Sequence, residues 1–217
     1  MGFASLIVYL TNEWYLYSSS IDKETCNKLK VLGENDFKLA NVETNKRTTN
    51  EERITGRKKE YGLDKKIRIS EISWTNEQWV IDLVWPYMMK ANEKTGWNFD
   101  IRSVEKIQIT KYKPGGFYSW HKDGYSDCLS TYNNPDNKFL HGYLRKLSMT
   151  ILLNENYQGG EFQFSSLSKG KLRIDTPDFK NAGSVIVFPS FMEHRVAPVT
   201  KGTRYSLVAW FVGPSFV

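Results

Sequence analysis

Residues 204–211 alternate without a break. Arg204, Ser206, Val208 and Trp210 fall on one side of an extended chain, and Tyr205, Leu207, Ala209 and Phe211 on the other. Side chains of a strand point to opposite faces in turn. The wholly apolar face implies packing under helices, so Arg204 and Ser206 must look into the interior. The two-residue period recurs from Ile101 onward and predicts strands at Val104–Tyr112, Phe117–Asp123, Lys146–Leu153, Glu161–Ser165, Leu172–Ile174, Ser184–Phe188, His194–Val196 and Thr203–Val212. The run Asn133-Asn134-Pro135-Asp136-Asn137 reads as a loop between them. Two helices precede this region. Asp22 to Leu32 carries Cys26, Leu29 and Leu32, with Gly33 as its stop. The second opens on a capping box, Thr75-Asn76-Glu77-Gln78, and continues with Trp79, Leu83 and Tyr87 at helical spacing. Pro86 should kink or shorten it, and Gly96 should end it. The expected fold is mainly β with flanking helices (α+β). Eight strands in that order suggest a jelly-roll barrel, the double-stranded β-helix. No internal repeat or boundary divides residues 1–217, so one domain is expected: 1–100 as helical support and lid region, 101–214 as β core.

Composition excludes some classes. Two cysteines, Cys26 and Cys128, make no disulfide framework and no Cys-x-x-Cys metal motif, which fits a reduced, cytoplasmic setting. The apolar run Leu6–Leu10 lacks a preceding Lys or Arg, Leu6 stands where a myristoylation signal needs Ser or Thr, and no stretch approaches the ~20 apolar residues of a spanning helix. No membrane partner is expected. The formal net charge is +6, and residues 46–68 hold nine Lys/Arg against four Asp/Glu. Such a run is ordinarily solvated surface; the functional reading is a mobile lid over a site.

The chemistry centres on His121-Lys122-Asp123. Residues two apart on a strand share a face, so an imidazole and a carboxylate converge there, and His194 must arrive from a distant strand. Two histidines and one carboxylate leave three positions open on an octahedral metal, as in non-haem Fe(II) oxygenases. Zinc is the competing metal, although the helical His-Glu-x-x-His of zinc hydrolases is absent. Arg204 offers a planar fork for a carboxylate. Tyr112 and Ser206 could donate hydroxyl hydrogen bonds to the same group, while Tyr118, Trp120 and Trp210 are candidates for the substrate-lining wall. His141 sits in a loop-like stretch and is not expected to bind metal. Arg145 and Glu161 could pair near the barrel mouth.

These motifs have a recognisable order. Tyr112-Lys113-Pro114-Gly115-Gly116-Phe117-Tyr118-Ser119-Trp120 leads into His121; Gly159-Gly160-Glu161, Gly183 to Ser190, His194-Arg195-Val196 and Pro198 to Leu207 follow. The set resembles the Fe(II)/2-oxoglutarate-dependent dioxygenases, specifically the prolyl 4-hydroxylase-like branch that includes PKHD-type hydroxylases. The resemblance covers roughly residues 100–214. It implies Fe(II) held by His121, Asp123 and His194, with 2-oxoglutarate held by Tyr112 and gripped at its far carboxylate by Arg204. Ascorbate is a candidate reductant. The implied reaction is hydroxylation of an unactivated C–H bond, with O2 consumed and succinate and CO2 released. Asp123 argues for hydroxylation, since halogenating relatives carry a small residue there. A prolyl residue of a peptide or protein leads as substrate, and a free amino acid or other small molecule is the alternative. A nucleic-acid demethylase is disfavoured because Trp210 stands where that branch carries a second arginine. A non-catalytic cupin-like module would not need both Tyr112 and Arg204.

Overall fold

The computed structural model describes residues 13–40, 42–43, 61–62, 64–124, 129–168 and 170–216. Two antiparallel sheets dominate. The larger runs β1 (Tyr15–Tyr17), β14 (Val185–Pro189), β10 (Leu144–Leu152), β17 (Arg204–Gly213), β8 (Ile107–Tyr112), β6 (Glu71–Thr75) and β2 (Lys38–Leu39), and β7 (Ser103–Val104) also pairs with β17. The smaller runs β13 (Lys171–Asp175), β12 (Phe162–Ser168), β15 (Glu193–Val196), β9 (Phe117–His121) and β5 (Arg68–Ile69). Two short ribbons, β3 (Val42–Glu43) with β4 (Tyr61–Gly62) and β11 (Tyr157–Gly159) with β16 (Val199–Gly202), complete the set.

The alternation in β17 sorts two cores. Leu207, Ala209 and Phe211 join Leu147, Met149 and Ile151 of β10 and Val185 and Val187 of β14 under the helices α1 (Lys23–Glu34) and α2 (Gln78–Lys94). Each of these fully buried side chains stabilises the layer by roughly 1.5–3 kcal/mol for Val, Leu, Ile, Met or Phe. On the opposite face, Tyr112, Leu152, Ile186 and Phe188 meet Phe162, Phe164 and Val196 of the smaller sheet. The polar residues of β17 sit in this inner layer, as the sequence predicts. The fold is the mainly β, helix-flanked one expected.

Local expectations needed correction. Gly33 does not stop α1 but lies inside it: a Cβ there would come within 3.0 Å of Ile109 and 3.1 Å of Phe37. It is a close-approach glycine, letting the helix sit down on β8. Asp22 caps α1 by accepting from the Thr25 N–H at 2.8 Å. The capping box at Thr75 does not form. Thr75 ends β6, its hydroxyl accepts from the Glu77 N–H, and Glu77 makes no side-chain cap bond. The buried stripe of α2 is Val80, Val84, Met88 and Ala91, one residue on from the stripe expected; Trp79 is 40% exposed. Pro86 leaves the helix unbroken. Asp82, whose carbonyl loses its i+4 donor to the proline, is on the exposed face, where water can satisfy it. Gly96, at φ +74°, follows the C-cap as expected. Of the proposed lid, 46–68, residues 46–60 and 63 lie outside the described residues, as do the apolar opening 6–10 and Cys128.

Candidate metal and cosubstrate site

His194 and His121 are register partners across β15 and β9, which is how residues 73 positions apart become neighbours. Their rings lie 4.2 Å apart between centroids. β9 ends at His121, so Asp123 arrives from the loop beyond it rather than from the strand expected. That loop is fixed by the Asp123 N–H donating to the Ser190 carbonyl at 2.9 Å. The Asp123 carboxylate stands 3.9 Å from His121 Nε2 and 3.6 Å from His194 Nε2. All three ligand atoms lie within 4.8 Å of one another.

The supporting bonds choose the tautomers. His121 Nδ1 faces the Ser119 carbonyl at 2.7 Å, and His194 Nδ1 faces the Met192 carbonyl at 2.9 Å. Each Nδ1 therefore carries the proton and leaves Nε2 as a lone-pair donor toward the third residue. Burial, reinforced by the neighbouring His194, pushes the His121 imidazole down to about 3, so it is neutral. Burial alone would raise the Asp123 carboxyl; His194, His121, Arg145 and the Ser148 hydrogen bond outweigh it and hold the group below the ordinary carboxylate range. Ser148 Oγ donates to Asp123 Oδ2 at 2.7 Å and lies 2.9 Å from Ser190 Oγ. The Nε2 atoms of the two histidines, beside an ionised carboxylate, form a ready donor set for a divalent metal.

His121 and Asp123 line a cavity of about 320 Å³ whose walls also include Tyr112, Tyr118, Arg145, Arg204, Ser206 and Trp210, and the ligand atom of His194 lies within 4.8 Å of theirs. Arg204 is only 1% exposed. Its Nη1 donates to Ser206 Oγ at 3.0 Å, whereas Nε and Nη2 have no acceptor among the described residues. Tyr112 is the register partner of Arg204 across β8 and β17, and its ring centre lies 5.7 Å from the guanidinium carbon. No carboxylate among the described residues pairs with Arg204. A buried guanidinium with open donors is unfavourable until an anion arrives. The site is thus built for a carboxylate at one end and a metal at the other.

Two expectations fail here. Trp120 is not a cavity wall: it lies under Arg195, 4.5 Å from that guanidinium carbon. A register irregularity pairs His121 with His194 but Tyr118 with Val196, inserting an extra residue into β9. Tyr118 and His121, three apart, therefore share a face and stack at 3.5 Å. Arg145 does not pair with Glu161. β7 runs beside β17 and delivers Glu105 instead, whose two oxygens accept from Arg145 Nε and Nη2 at 2.7 Å each. Arg145 also lies 4.0 Å over the Trp210 ring. His141 is exposed and is not part of the His121–Asp123–His194 cluster. Sequence reasoning missed Ser148 and Ser190, whose duty is invisible without the register, and Arg68, which was counted with the basic surface run yet lines the cavity.

Residues 107–212 match the family model of the 2OG-Fe(II) oxygenase superfamily. Over that stretch the chain is similar to the 2OG-Fe(II) oxygenases. The matched stretch runs from β8 to β17 and contains His121, Asp123, His194 and Arg204, but not Arg68 or Glu105. A PKHD-type hydroxylase of Synechococcus sp. (strain CC9902) is 37% identical over 112 residues, 51% of this chain and 42% of that protein. One from Alteromonas mediterranea is 34% identical over 106 residues, 47% of this chain and 41% of that protein. The matched stretch thus spans about two fifths of these curated relatives. Among solved structures, the viral collagen prolyl hydroxylase of Paramecium Bursaria Chlorella virus-1, as its 2OG complex, superposes with a TM-score of 0.59 at 19% identity, covering 94% of this chain and 97% of that one. A Trichoplax adhaerens prolyl hydroxylase, in complex with a hypoxia inducible factor oxygen degradation domain peptide fragment, does so with a TM-score of 0.59 at 16% identity, covering 93% and 84%. At these identities the likeness is one of fold, and these oxygenase folds are double-stranded β-helices.

Proposed function

We propose that the chain is an Fe(II)- and 2-oxoglutarate-dependent hydroxylase of an unactivated C–H bond, with a prolyl residue of a peptide or protein as the favoured substrate. The observation that carries this reading is Arg204, a buried guanidinium with two donor atoms unsatisfied among the described residues, in the cavity that His121 and Asp123 line. His121, Asp123 and His194 would hold the metal through Nε2, a carboxylate oxygen and Nε2. Arg204 and Ser206, with Tyr112 beside them, would hold the far carboxylate of 2-oxoglutarate. When bound, iron and 2-oxoglutarate together supply the oxidising power, with one atom of O2 entering succinate and the other the substrate C–H bond.

The chain's own residues orient and shield. Ser119 and Met192 carbonyls fix the imidazole planes, and Ser148 fixes the carboxylate. Phe162 and Phe188 pack against His194 at 5.5 and 4.7 Å and exclude water from that side. Tyr118 covers His121 from the other, and Trp210 forms part of the wall. Asp123 would supply a carboxylate ligand where halogenating relatives carry a small residue, which supports hydroxylation. The names of the relatives and the folds of the neighbours support a prolyl substrate, and ascorbate fits as the reductant that keeps iron in its Fe(II) state. No helix among the described residues is long and apolar enough to cross a membrane.

The test is succinate release by the Fe(II)-loaded chain against proline-rich peptides, free amino acids and methylated oligonucleotides. Stimulation by the peptides supports the reading. Stimulation by free amino acids alone moves it to the small-molecule alternative, and stimulation by the oligonucleotides alone overturns both.

A further inference from the structure

Among the described residues, three arginines line the cavity, and only one of them, Arg145, is paired with a carboxylate. Arg145 is held by both oxygens of Glu105. Arg204 is spoken for, on the reading above, by the far carboxylate of 2-oxoglutarate. Arg68 remains. It is 9% exposed, on β5, paired in register with Tyr118. Its Nε donates to Ser70 Oγ at 2.7 Å and its guanidinium carbon lies 4.5 Å from the Tyr118 ring centre. Tyr118 in turn stacks on the metal-side histidine, His121. No carboxylate among the described residues forms an ion pair with Arg68.

The charge count is decisive. Asp123 and one carboxylate of the cosubstrate face the divalent metal, Arg204 takes the other carboxylate, and Arg145 with Glu105 is neutral. Among the described residues, the loaded cavity then keeps one buried positive charge, on Arg68. A guanidinium so placed is costly unless an anion meets it, and its planar fork matches a carboxylate. Both carboxylates of 2-oxoglutarate are already engaged, so the anion has to come with the second substrate. We propose that Arg68 is the specificity residue of this site: it binds a carboxylate on the substrate whose C–H bond is hydroxylated. The proposal rests on the hydroxylase reading. The carboxylate has two chemical sources, an Asp or Glu side chain beside the target residue of a peptide, or the α-carboxylate of a free amino acid.

The experiment uses matched pairs differing only in charge: acetyl-prolyl-glutamate amide against acetyl-prolyl-glutamine amide, and L-proline against L-prolinamide. Each is titrated calorimetrically into the full chain loaded with Fe(II) and 2-oxoglutarate without O2, so that no turnover is needed. Within at least one pair the carboxylate member should bind ~30-fold or more tightly, and the pair that discriminates names the source. Arg68→Gln should collapse the difference to within about threefold, while Arg68→Lys keeps part of it. Affinity for 2-oxoglutarate should stay unchanged in both variants, which separates this site from that of Arg204. Equal binding within every pair, or binding by no member, overturns the proposal. So does discrimination that survives Arg68→Gln, or a matching loss of 2-oxoglutarate affinity in that variant. Failure of the unsubstituted chain to bind 2-oxoglutarate at all would instead overturn the underlying hydroxylase reading.

Discussion

Replacing Arg204 by methionine should separate binding from folding. The side chain is 1% exposed, and of its guanidinium nitrogens only Nη1 has an acceptor among the described residues, Ser206 Oγ at 3.0 Å. With 2-oxoglutarate bound, the change leaves a buried carboxylate without its cation, which typically costs about 2–5 kcal/mol. At 1.4 kcal/mol per decade, that weakens 2-oxoglutarate roughly 30-fold to several-thousand-fold. In the ligand-free protein the sign differs. An unpaired buried charge is removed in favour of an apolar chain of similar length, so stability should hold or rise. Anaerobic calorimetry of the Fe(II)-loaded protein gives the affinity, and thermal unfolding of both forms gives the stability. The variant should keep the melting temperature of the free protein while losing the upward shift that 2-oxoglutarate confers. An affinity within about threefold of the original would refute the argument. So would a ligand-free variant destabilised by more than about 2 kcal/mol, a cost on the scale of a lost structural ion pair.

Other outcomes follow from the same geometry. His121→Ala, Asp123→Ala and His194→Ala should each abolish tight metal binding, whereas His141→Ala should bind one Fe(II) as before; metal titration checks all four. Ser148→Ala removes the 2.7 Å bond that aims Asp123 and should weaken metal about 10–100-fold in a competition titration with a chelator, with folding intact by circular dichroism. Gly160→Ala places a Cβ 3.0 Å from Arg204 Cδ at a backbone φ of +69°. It should cost about 1–2 kcal/mol in denaturant unfolding and weaken 2-oxoglutarate as well. The His121 imidazole is held down to about 3 by burial and His194, so on falling from about pH 6.5 the unfolded chain takes up a proton that the folded one refuses. Stability of the metal-free protein should therefore fall as pH drops through that window, by up to about 1.4 kcal/mol per pH unit, and His121→Asn should flatten the dependence. Urea midpoints at pH 7, 6 and 5 decide it, and equal slopes would count against the assignment.

What was legible in the sequence was whatever has a period or a fixed spacing. The alternation of β17 predicted both its faces, because burial on both sides leaves little freedom of register. His121, Asp123, His194 and Arg204 could be named from motif order; the fold gathers the first three within 4.8 Å and sets Arg204 in the cavity that His121 and Asp123 line. Pairings between distant segments were not legible. Glu105 rather than Glu161 reaches Arg145 because β7 lies along β17, a fact of topology with no local signature. Trp120 was misplaced because a strict two-residue period cannot show the irregularity in β9. Arg68 looked like one more surface cation; only the pairing of β5 with β9 turns it inward. The phase of α2 was misread because Trp79 is the more conspicuous hydrophobe, while Val80, Val84 and Met88 set the buried stripe.

The central claim is that His121, Asp123 and His194 hold an iron at which 2-oxoglutarate is consumed. The most direct measurement is the conversion of 2-oxoglutarate to succinate by the purified chain with Fe(II), ascorbate and O2, compared with Asp123→Ala under the same conditions. The account predicts succinate from the unsubstituted chain, abolished by omitting Fe(II) and absent above background in the variant. Equal succinate from both proteins, or none from a chain shown to bind metal and 2-oxoglutarate and supplied with a substrate it binds, would contradict it.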